Sequence, residues 1–138
     1  INAAPGDCWI SPTIFLDSAG YDMIEIGDDC TISFDVVILV HDYSINNAFR
    51  FVGEPMAEKH RLIKRPVKIG DNCFIGARAV IMPGTVIGDN CIVGSGAVVR
   101  GRIPEGSIVS GNPATIIADI ESFAKKHLAQ QDFDWDFR

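Results

Sequence analysis

The sequence lacks any apolar run long enough to cross a membrane. Its longest runs, such as Val36 to Val40, fall far short of the roughly 18 apolar residues that a membrane-spanning helix needs. It also lacks an excess of basic residues, since 12 Lys and Arg stand against 18 Asp and Glu, for a net charge of −6. Proteins that bind phosphate backbones need a basic surface, so we exclude nucleic acid as the main partner. No secretory or transit signal is visible, and we expect a cytoplasmic protein.

Histidine and cysteine are scarce, and their spacing is unlike that of a metal site. CxxC is a common spacing of zinc ligands. The four cysteines, at positions 8, 30, 73 and 91, form no such pair. The chain has 138 residues, of which 47% are apolar. It is therefore too hydrophobic to be disordered, and it has the size of a single domain.

What the sequence does contain is a six-residue repeat. From Ile69 it reads IGDNCF, IGARAV, IMPGTV, IGDNCI and VGSGAV. An aliphatic residue returns every six positions, and a small residue follows it four positions later. Neither an α-helix nor an alternating strand has this period, whereas β-branched residues and recurring Gly, Asn and Asp favour short strands separated by turns. The repeat therefore predicts a β-solenoid.

In a solenoid, equivalent residues of successive coils lie above one another. The aliphatic positions then form one interior ladder, and the small positions form another. All four cysteines occupy the small position. We therefore predict that they are packing residues that point inward, rather than nucleophiles or metal ligands.

The repeat is interrupted twice. Residues 42–62 form an excursion without the pattern, and long excursions in compact repeats are usually functional or disordered. We interpret it as a flap over a site, with a solvated surface loop as the alternative. The second interruption ends the solenoid, so we assign residues 1–117 to the β-helix domain and residues 118–138 to a C-terminal helix and tail. Apolar residues at helical spacing predict that this helix caps the last coil.

His41 stands at the start of the excursion. Counted from Ile38, it occupies the fourth position of its hexad, a position that we expect to face outward in every coil. An outward histidine beside a flap is a candidate general base, because free histidine titrates near pH 6.5 and exchanges protons readily at neutral pH. A solvated or loop-anchoring histidine is the alternative.

Several motifs occur in the order found in a known enzyme family. They are His41, the dipeptide GE, the stretch RPVKIGDNCFIG and the final GNPA. The sequence resembles the hexapeptide-repeat acyltransferases, nearest the branch of galactoside and maltose O-acetyltransferases and of polysaccharide O-acetyltransferases. The resemblance implies an all-β fold, namely a left-handed parallel β-helix (hexapeptide-repeat solenoid) with a long loop excursion and a short C-terminal helix.

The resemblance also implies an activity. It implies that acetyl-CoA, a co-substrate rather than a permanent cofactor, gives its acetyl group to a hydroxyl of a sugar or glycan precursor. His41 would act as general base in a direct transfer without an acyl-enzyme, and Asp42 or a backbone carbonyl would orient its imidazole. No metal is implied. The family places its sites between the subunits of a trimer, so we expect a homotrimer here.

The family's coenzyme-binding segments match six positions of this chain. These positions are Phe74, Gly76, Ala77, Gly94, Ser95 and Gly96. The glycines have a second explanation, since the repeat itself favours Gly. Where the family often has a Thr-Lys pair after the last hexad, this chain has Arg100 followed by Gly101. We therefore expect Arg100, Arg102 and Arg78 to contact the CoA phosphates in its place.

Three residues are candidates for binding the acceptor. Asp17 lies before the coil that leads to His41, where the family branch has polar acceptor contacts, and an ordinary turn aspartate is the alternative. Phe49 and Phe51 lie in the excursion and could stack on a sugar ring from the flap.

Two other functions are compatible with this fold. The main alternative is a non-catalytic solenoid that serves as a scaffold or as the trimerisation module of a longer protein. A zinc enzyme of the γ-carbonic anhydrase type shares the fold but needs three histidines across a subunit interface, and His41, His60 and His127 are poorly placed for this. Transfer to an amine, or of an acyl group other than acetyl, is left open.

Overall fold

The secondary structure consists almost entirely of short strands. The computed structural model describes residues 6–55, 57 and 62–134. The strands are β1 (Trp9–Ile10), β2 (Phe15–Leu16), β3 (Ile24–Ile26), β4 (Thr31–Ile32), β5 (Val37–Ile38), β6 (His41–Asp42), β7 (Ile63–Lys64), β8 (Val67–Ile69), β9 (Phe74–Ile75), β10 (Val80–Ile81), β11 (Val86–Ile87), β12 (Ile92–Val93), β13 (Val98–Val99), β14 (Arg102–Ile103), β15 (Ser107–Ser110) and β16 (Thr115–Asp119). The helices are a 3-10 turn (Tyr21–Met23), α1 (Ser44–Phe51) and α2 (Ile120–Gln130). Within the described residues, no helix has the length and apolar character needed to cross a membrane.

The strands stack into three faces of a solenoid. The first face contains β1, β4, β9, β12 and β15, the second β2, β5, β10 and β13, and the third β3, β8, β11 and β14. Neighbouring strands within each face are parallel and in register, as where Ile32 lies opposite Ile75. The chain visits the three faces in turn, and the predicted left-handed parallel β-helix is confirmed.

Three corners connect the faces, and each corner is built from one segment of every coil. The first corner, between the first and second faces, contains residues 11–14, 33–36, 76–79 and 94–97. The second corner, between the second and third faces, contains residues 17–23, 39–66, 82–85 and 100–101. The third corner, between the third and first faces, contains residues 27–30, 70–73, 88–91 and 104–106. The excursion therefore arises at the second corner of the second coil.

The interior is filled by the two predicted ladders. Ile32, Ile75 and Val93 are fully buried and follow one another in register on the first face. The small positions are buried as well, including Ala79 and Ala97. Removing apolar surface from water contributes about 25 cal/mol per Å², so these ladders supply the main stabilisation of the solenoid.

The cysteines form a ladder of their own at the third corner. Cys30, Cys73 and Cys91 are buried, whereas Cys8 is half-buried, and none is in a disulfide. Each of the three buried thiols donates a hydrogen bond of 3.1 or 3.2 Å to a carbonyl of the next coil. Burial raises the pKa of Cys73 to about 12 and also raises those of Cys30 and Cys91. These three cysteines are therefore packing residues, as predicted, and not thiolates.

The fourth position of a regular hexad is a turn position. Asn72, Arg78 and Asn90 adopt the left-handed backbone there, with φ of 52°, 61° and 59°. His41 does not adopt this turn conformation, because the chain leaves the coil before the turn is made, but its side chain reaches the surface as expected. Val40 turns inward and is fully buried, and His41 follows it in strand β6.

The excursion contains more regular structure than the sequence predicted. Strands β6 and β7 pair antiparallel and form a short ribbon at its base. Helix α1 follows β6, and its residue Phe51 is 91% exposed. The middle of the excursion, with Met56 and His60, lies outside the described residues.

The C-terminal segment differs from the expected cap. Strand β16 pairs antiparallel with β15, so the predicted boundary after residue 117 falls inside a strand. No residue of α2 is buried against the described chain, and Phe123 and Leu128 are exposed. Only the start of the helix reaches the last coil, where the amide of Ile120 donates to the carbonyl of Gly106 at 2.8 Å, and the expected packing of its apolar side is absent among the described residues. Strand β16 instead extends the first face beyond β15. Trp135 and Phe137, expected to dock there, lie outside the described residues.

Coil stacking requires glycine at position 76. A Cβ on this buried residue would lie 2.6 Å from the amide nitrogen of Ser95 and 2.7 Å from the carbonyl oxygen of Val93. We expect Gly76→Ala to lower the free energy of unfolding by about 2 kcal/mol or more, since backbone atoms cannot move aside as a side chain can. Thermal denaturation followed by circular dichroism would measure this. Ser95→Ala, at an exposed position of the neighbouring coil, is the control, and equal melting of both variants would contradict the prediction.

Candidate functional site

The site forms where the second corners of the first two coils meet. Asp17 directly follows strand β2 of the first coil, and His41 begins the excursion of the second coil. The imidazole Nδ1 of His41 lies 2.5 Å from Oδ2 of Asp17. The side chain of Asp17 is 3% exposed, whereas that of His41 is 34% exposed. One nitrogen of the histidine ring is thus held from inside, while the ring itself reaches the surface.

The carboxylate of Asp17 is fixed by the backbone around it. Its Oδ2 accepts hydrogen bonds from the amides of Val40 and His41 at 2.9 and 3.2 Å, and its Oδ1 accepts one from Ala19 at 3.0 Å. Burial alone would raise the pKa of Asp17, but the hydrogen bonds from Ala19, Val40 and His41 outweigh burial and lower it. Asp17 is therefore ionised at neutral pH and accepts a hydrogen bond from Nδ1 of His41. The second ring nitrogen, Nε2, is left to exchange a proton with a ligand.

Asp42 does not orient the histidine. Its Oδ1 accepts a 2.8 Å hydrogen bond from the amide of Ser44, at the start of α1. This interaction with Ser44 lowers the pKa of Asp42, and the positive charges of Arg100 and His41 act in the same direction. The structure thus replaces Asp42 by Asp17 as the partner of the imidazole, and Asp17 is a buried positioning group rather than an exposed acceptor contact.

The sequence offered no direct signal for this pair. Asp17 and His41 are 24 positions apart, in a part of the chain where the repeat is weak. Only the stacking of the first coil below the second brings the two side chains together.

Two of the arginines expected to contact phosphates lie above the histidine. Arg100 follows β13 at the second corner, and its in-register predecessors on that corner are Met82 and Leu39. Its charge is close enough to affect Asp42. Arg102 lies next to this corner, in β14, and is exposed. Cationic side chains therefore stand on the same corner as His41, toward the last coil.

The other residues expected to bind the coenzyme lie elsewhere in the same subunit. Phe74 is exposed on the first face. The other six lie beside it on the first corner, and they are Gly76, Ala77, Arg78, Gly94, Ser95 and Gly96. The second face separates this corner from His41, so one subunit does not bring the two groups together.

Some first-corner residues already have a structural role. Close stacking against the next coil requires glycine at position 76. A Cβ on Gly94 would likewise lie close to the next coil, 3.0 Å from Oγ of Ser110. Arg78 is 3.8 Å from the carboxylate of Asp35. Gly96 differs, since it has a φ of +72° and open space beside it. Of the predicted glycine contacts, Gly96 is thus the one that leaves room for a ligand.

The two flap phenylalanines are both on α1. Phe49 is half-buried and Phe51 is almost fully exposed. Neither makes a described contact with His41 or Asp17. Their assignment to the acceptor therefore stays a prediction.

The described residues contain no group of three His, Cys, Asp or Glu side chains that could hold a metal ion. Nδ1 of His127 is 2.7 Å from Asp132, near the end of α2, whereas His41 is paired with Asp17 on the second corner. Each of these two histidines thus has its own carboxylate partner. His60 lies outside the described residues.

The repeat and the surrounding sequence match known proteins. Residues 66–101 match the bacterial transferase hexapeptide family (six repeats). Protein CapG of Staphylococcus aureus is 41% identical over 111 residues, which cover 80% of this chain and 61% of that relative. The chain therefore spans less than two thirds of the relative's length.

Two solved structures share the architecture. A maltose O-acetyltransferase from Clostridium difficile 630 is 37% identical with a TM-score of 0.61, over 70% of this chain and 48% of that one. A galactoside acetyltransferase solved in complex with coenzyme A is 26% identical with a TM-score of 0.59, over 86% of this chain and 64% of that one. These matches confirm the resemblance predicted from the motifs.

The lowered pKa of Asp17 predicts a pH-dependent contribution to stability. Because its folded pKa lies below the unfolded value near 3.9, its stabilising effect is present above about pH 4 and is lost as the pH falls through the folded pKa. We expect Asp17→Asn to lower the free energy of unfolding by about 2 kcal/mol at pH 7, and by less at pH 3. Urea unfolding at both pH values would measure this.

The control for this measurement is Asp35→Asn. Asp35 is a partly exposed residue with a left-handed backbone, which Asn also tolerates. We expect a small effect there at both pH values. A loss of stability in Asp17→Asn that is the same at pH 3 and pH 7 would contradict an ionised Asp17.

Proposed function

Because the chain belongs to the bacterial hexapeptide-repeat transferase family, we propose that it is an acetyl-CoA-dependent O-acetyltransferase acting on a hydroxyl of a sugar or glycan precursor. The observation that carries this proposal is the buried Asp17 that holds Nδ1 of His41 at the root of the excursion. The solved relatives support it, since one is a maltose O-acetyltransferase and another is a galactoside acetyltransferase with bound coenzyme A. Since the reaction consumes acetyl-CoA, we assign it to the cytoplasm.

In the proposed mechanism, His41 is the general base. With Nδ1 donating to Asp17, Nε2 takes the proton of the acceptor hydroxyl while that oxygen attacks the thioester carbonyl of acetyl-CoA. The tetrahedral intermediate collapses, the carbon–sulfur bond breaks, and the proton on Nε2 passes to the departing thiolate. The products are the acetyl ester and CoA. The ionised carboxylate of Asp17 stabilises the imidazolium that forms between these steps.

The transfer is proposed to be direct, without an acyl-enzyme. A cysteine nucleophile must be accessible and must ionise, because the thiolate is the reactive form. Burial raises the pKa of Cys73 to about 12, and the thiols of Cys30 and Cys91 are buried in the same ladder. The half-buried thiol of Cys8 donates to the carbonyl of Gly27 at the third corner, away from His41 on the second. The acceptor hydroxyl, activated by His41, is therefore the nucleophile that attacks acetyl-CoA.

We propose that the complete site forms between subunits of a homotrimer. The histidine and Arg100 lie on the second corner, while Ala77, Ser95 and Gly96 lie on the first corner, across the second face. A neighbouring subunit would bring its first corner to the second corner of this one. Arg100 and Arg102 would then bind the CoA phosphates, and the first-corner residues would line the pantetheine arm.

Replacing the base tests the reaction. We expect His41→Ala to reduce acceptor-dependent CoA release at least about 10²-fold, since a general base contributes about 10²–10⁴-fold. Release would be followed by chromatography, with acetyl-CoA and a panel of sugars and nucleotide-sugars. His127→Ala is the matched control, because His127 is also paired with a carboxylate but lies in α2.

Equal release by the wild type and His41→Ala would remove His41 from the chemistry. If the wild type releases no CoA and binds no acetyl-CoA at millimolar concentration, a non-catalytic scaffold or trimerisation module is the better assignment.

Mixed subunits test the shared site. His41→Ala removes the base that the second corner contributes to the proposed site, and Ala77→Trp blocks the coenzyme groove that the first corner contributes. If sites lie between subunits, each variant alone is inactive, but random co-assembly leaves about a quarter of the sites with both halves intact. We expect co-expressed subunits to recover about that fraction of wild-type activity, in particles with the mass of a trimer by light scattering. If each site lay within one subunit, mixing would recover no activity.

A further inference from the structure

The ribbon at the base of the excursion places a lysine beside the histidine. In the antiparallel pair of β6 and β7, His41 lies directly opposite Lys64. Directly opposite residues project on the same side of a ribbon, with Cβ atoms about 5 Å apart. Lys64 is exposed. Its ammonium group therefore shares the ribbon face from which the His41 ring reaches solvent.

The nearby carboxylates already have other partners. Asp17 is held by His41 and by backbone amides. Asp42 follows His41 in the strand and so projects on the opposite side of the ribbon, where it bonds Ser44 and feels the charge of Arg100. Among the described residues, no carboxylate lies within 4.0 Å of the Lys64 ammonium.

The neighbouring arginine does not take this place. The side chain of Arg65 lies next to Gly84 of the third coil. A Cβ added to Gly84 would lie 3.2 Å from the Cβ of Arg65. Its Nη1 donates to the carbonyl of Lys64 at 3.2 Å. Among the residues that the structure describes, Lys64 is thus the cation on the histidine side of the ribbon, in a chain whose net charge is −6.

We propose that the acceptor carries an anionic group and that Lys64 binds it. This inference rests on the proposed O-acetyl transfer and names its substrate class, a sugar with a carboxylate or a phosphate close to the hydroxyl that is acetylated. A lysine ammonium is a compact point charge on a flexible stem, so it suits either anion. With the two Cβ atoms about 5 Å apart, the anion lies within about one sugar ring of the reacting oxygen.

A set of matched acceptors tests the inference. The probes are galactose, galacturonic acid and galactose 1-phosphate, each with acetyl-CoA. The variants are Lys64→Gln, Lys64→Arg and the control Lys68→Gln. Lys68 lies on the third face, and its Nζ is 4.0 Å from Oε1 of Glu25. Initial rates of CoA release give kcat and KM for each acceptor and for acetyl-CoA, and circular dichroism verifies that each variant is folded.

We expect the wild type to prefer one anionic sugar over galactose about 10-fold or more in kcat/KM, and the preferred arm identifies the anion as carboxylate or phosphate. Lys64→Gln should remove this preference through a KM raised about 10-fold for that acceptor, without changing the rate with galactose or the KM for acetyl-CoA. Lys64→Arg should restore most of it, and Lys68→Gln should resemble the wild type. Raising the salt to 0.5 M should weaken the preference, because ions screen an exposed charge.

Equal use of galactose and its anionic derivatives, unaffected by Lys64→Gln, overturns this inference but leaves the proposed acetyl transfer intact. A KM for acetyl-CoA that rises in Lys64→Gln shows that Lys64 contacts the coenzyme, and it likewise overturns the inference. No transfer to any of the three probes, together with no binding of acetyl-CoA, contradicts the proposed function and the inference together.

Discussion

The structure depends on one repeated interaction, the in-register hydrogen bonding of each coil to the next. The amide of Thr31 donates to the carbonyl of Cys73 at 2.8 Å, and one coil further the amide of Phe74 donates to that of Cys91 at 2.9 Å. Because the register never shifts between regular coils, the place of a residue in its hexad decides its face, its corner and its exposure. The same close stacking excludes a side chain at Gly76. A regular coil therefore leaves a side chain little freedom to leave its place, and the break after Val40 is where the chain escapes this constraint.

The second corner shows what such a break provides. Once the chain leaves the coil after Val40, His41 no longer has to occupy a turn position, and its imidazole can settle on the coil below. There Asp17, at the end of a regular strand, offers a carboxylate that backbone amides hold in place. The rigid stack supplies the fixed carboxylate, while the excursion supplies the partly exposed imidazole. This combination suits a general base, which needs one ring nitrogen held and the other free.

The sequence predicted the features that repeat and missed those that do not. The period of six was sufficient to predict a β-solenoid, the buried small positions of Cys73 and Ala79, and the start of the excursion, while the left-handed β-helix came from the family resemblance. It could not predict the contact between Asp17 and His41, because that depends on which coils stack and the first coil follows the repeat only weakly. Counting along the hexad correctly placed the His41 side chain toward the surface, but it missed that Val40 turns inward where a regular coil would turn outward. The antiparallel strand β16 was missed for a similar reason, as it lies beyond the last hexad.

Charge is distributed unevenly over the corners of the solenoid. At the third corner, carboxylates bond the backbone of the preceding coil, as where Asp71 accepts from the amide of Asp28 at 2.8 Å and Asp89 accepts from that of Asp71 at 2.7 Å. These two carboxylates thus help to hold turns together. The second corner presents the exposed cations Lys64 and Arg100, while the carboxylate of Asp17 there is buried against His41. In the proposed reaction, these cations would attract the phosphates of acetyl-CoA, even though the chain as a whole is negative.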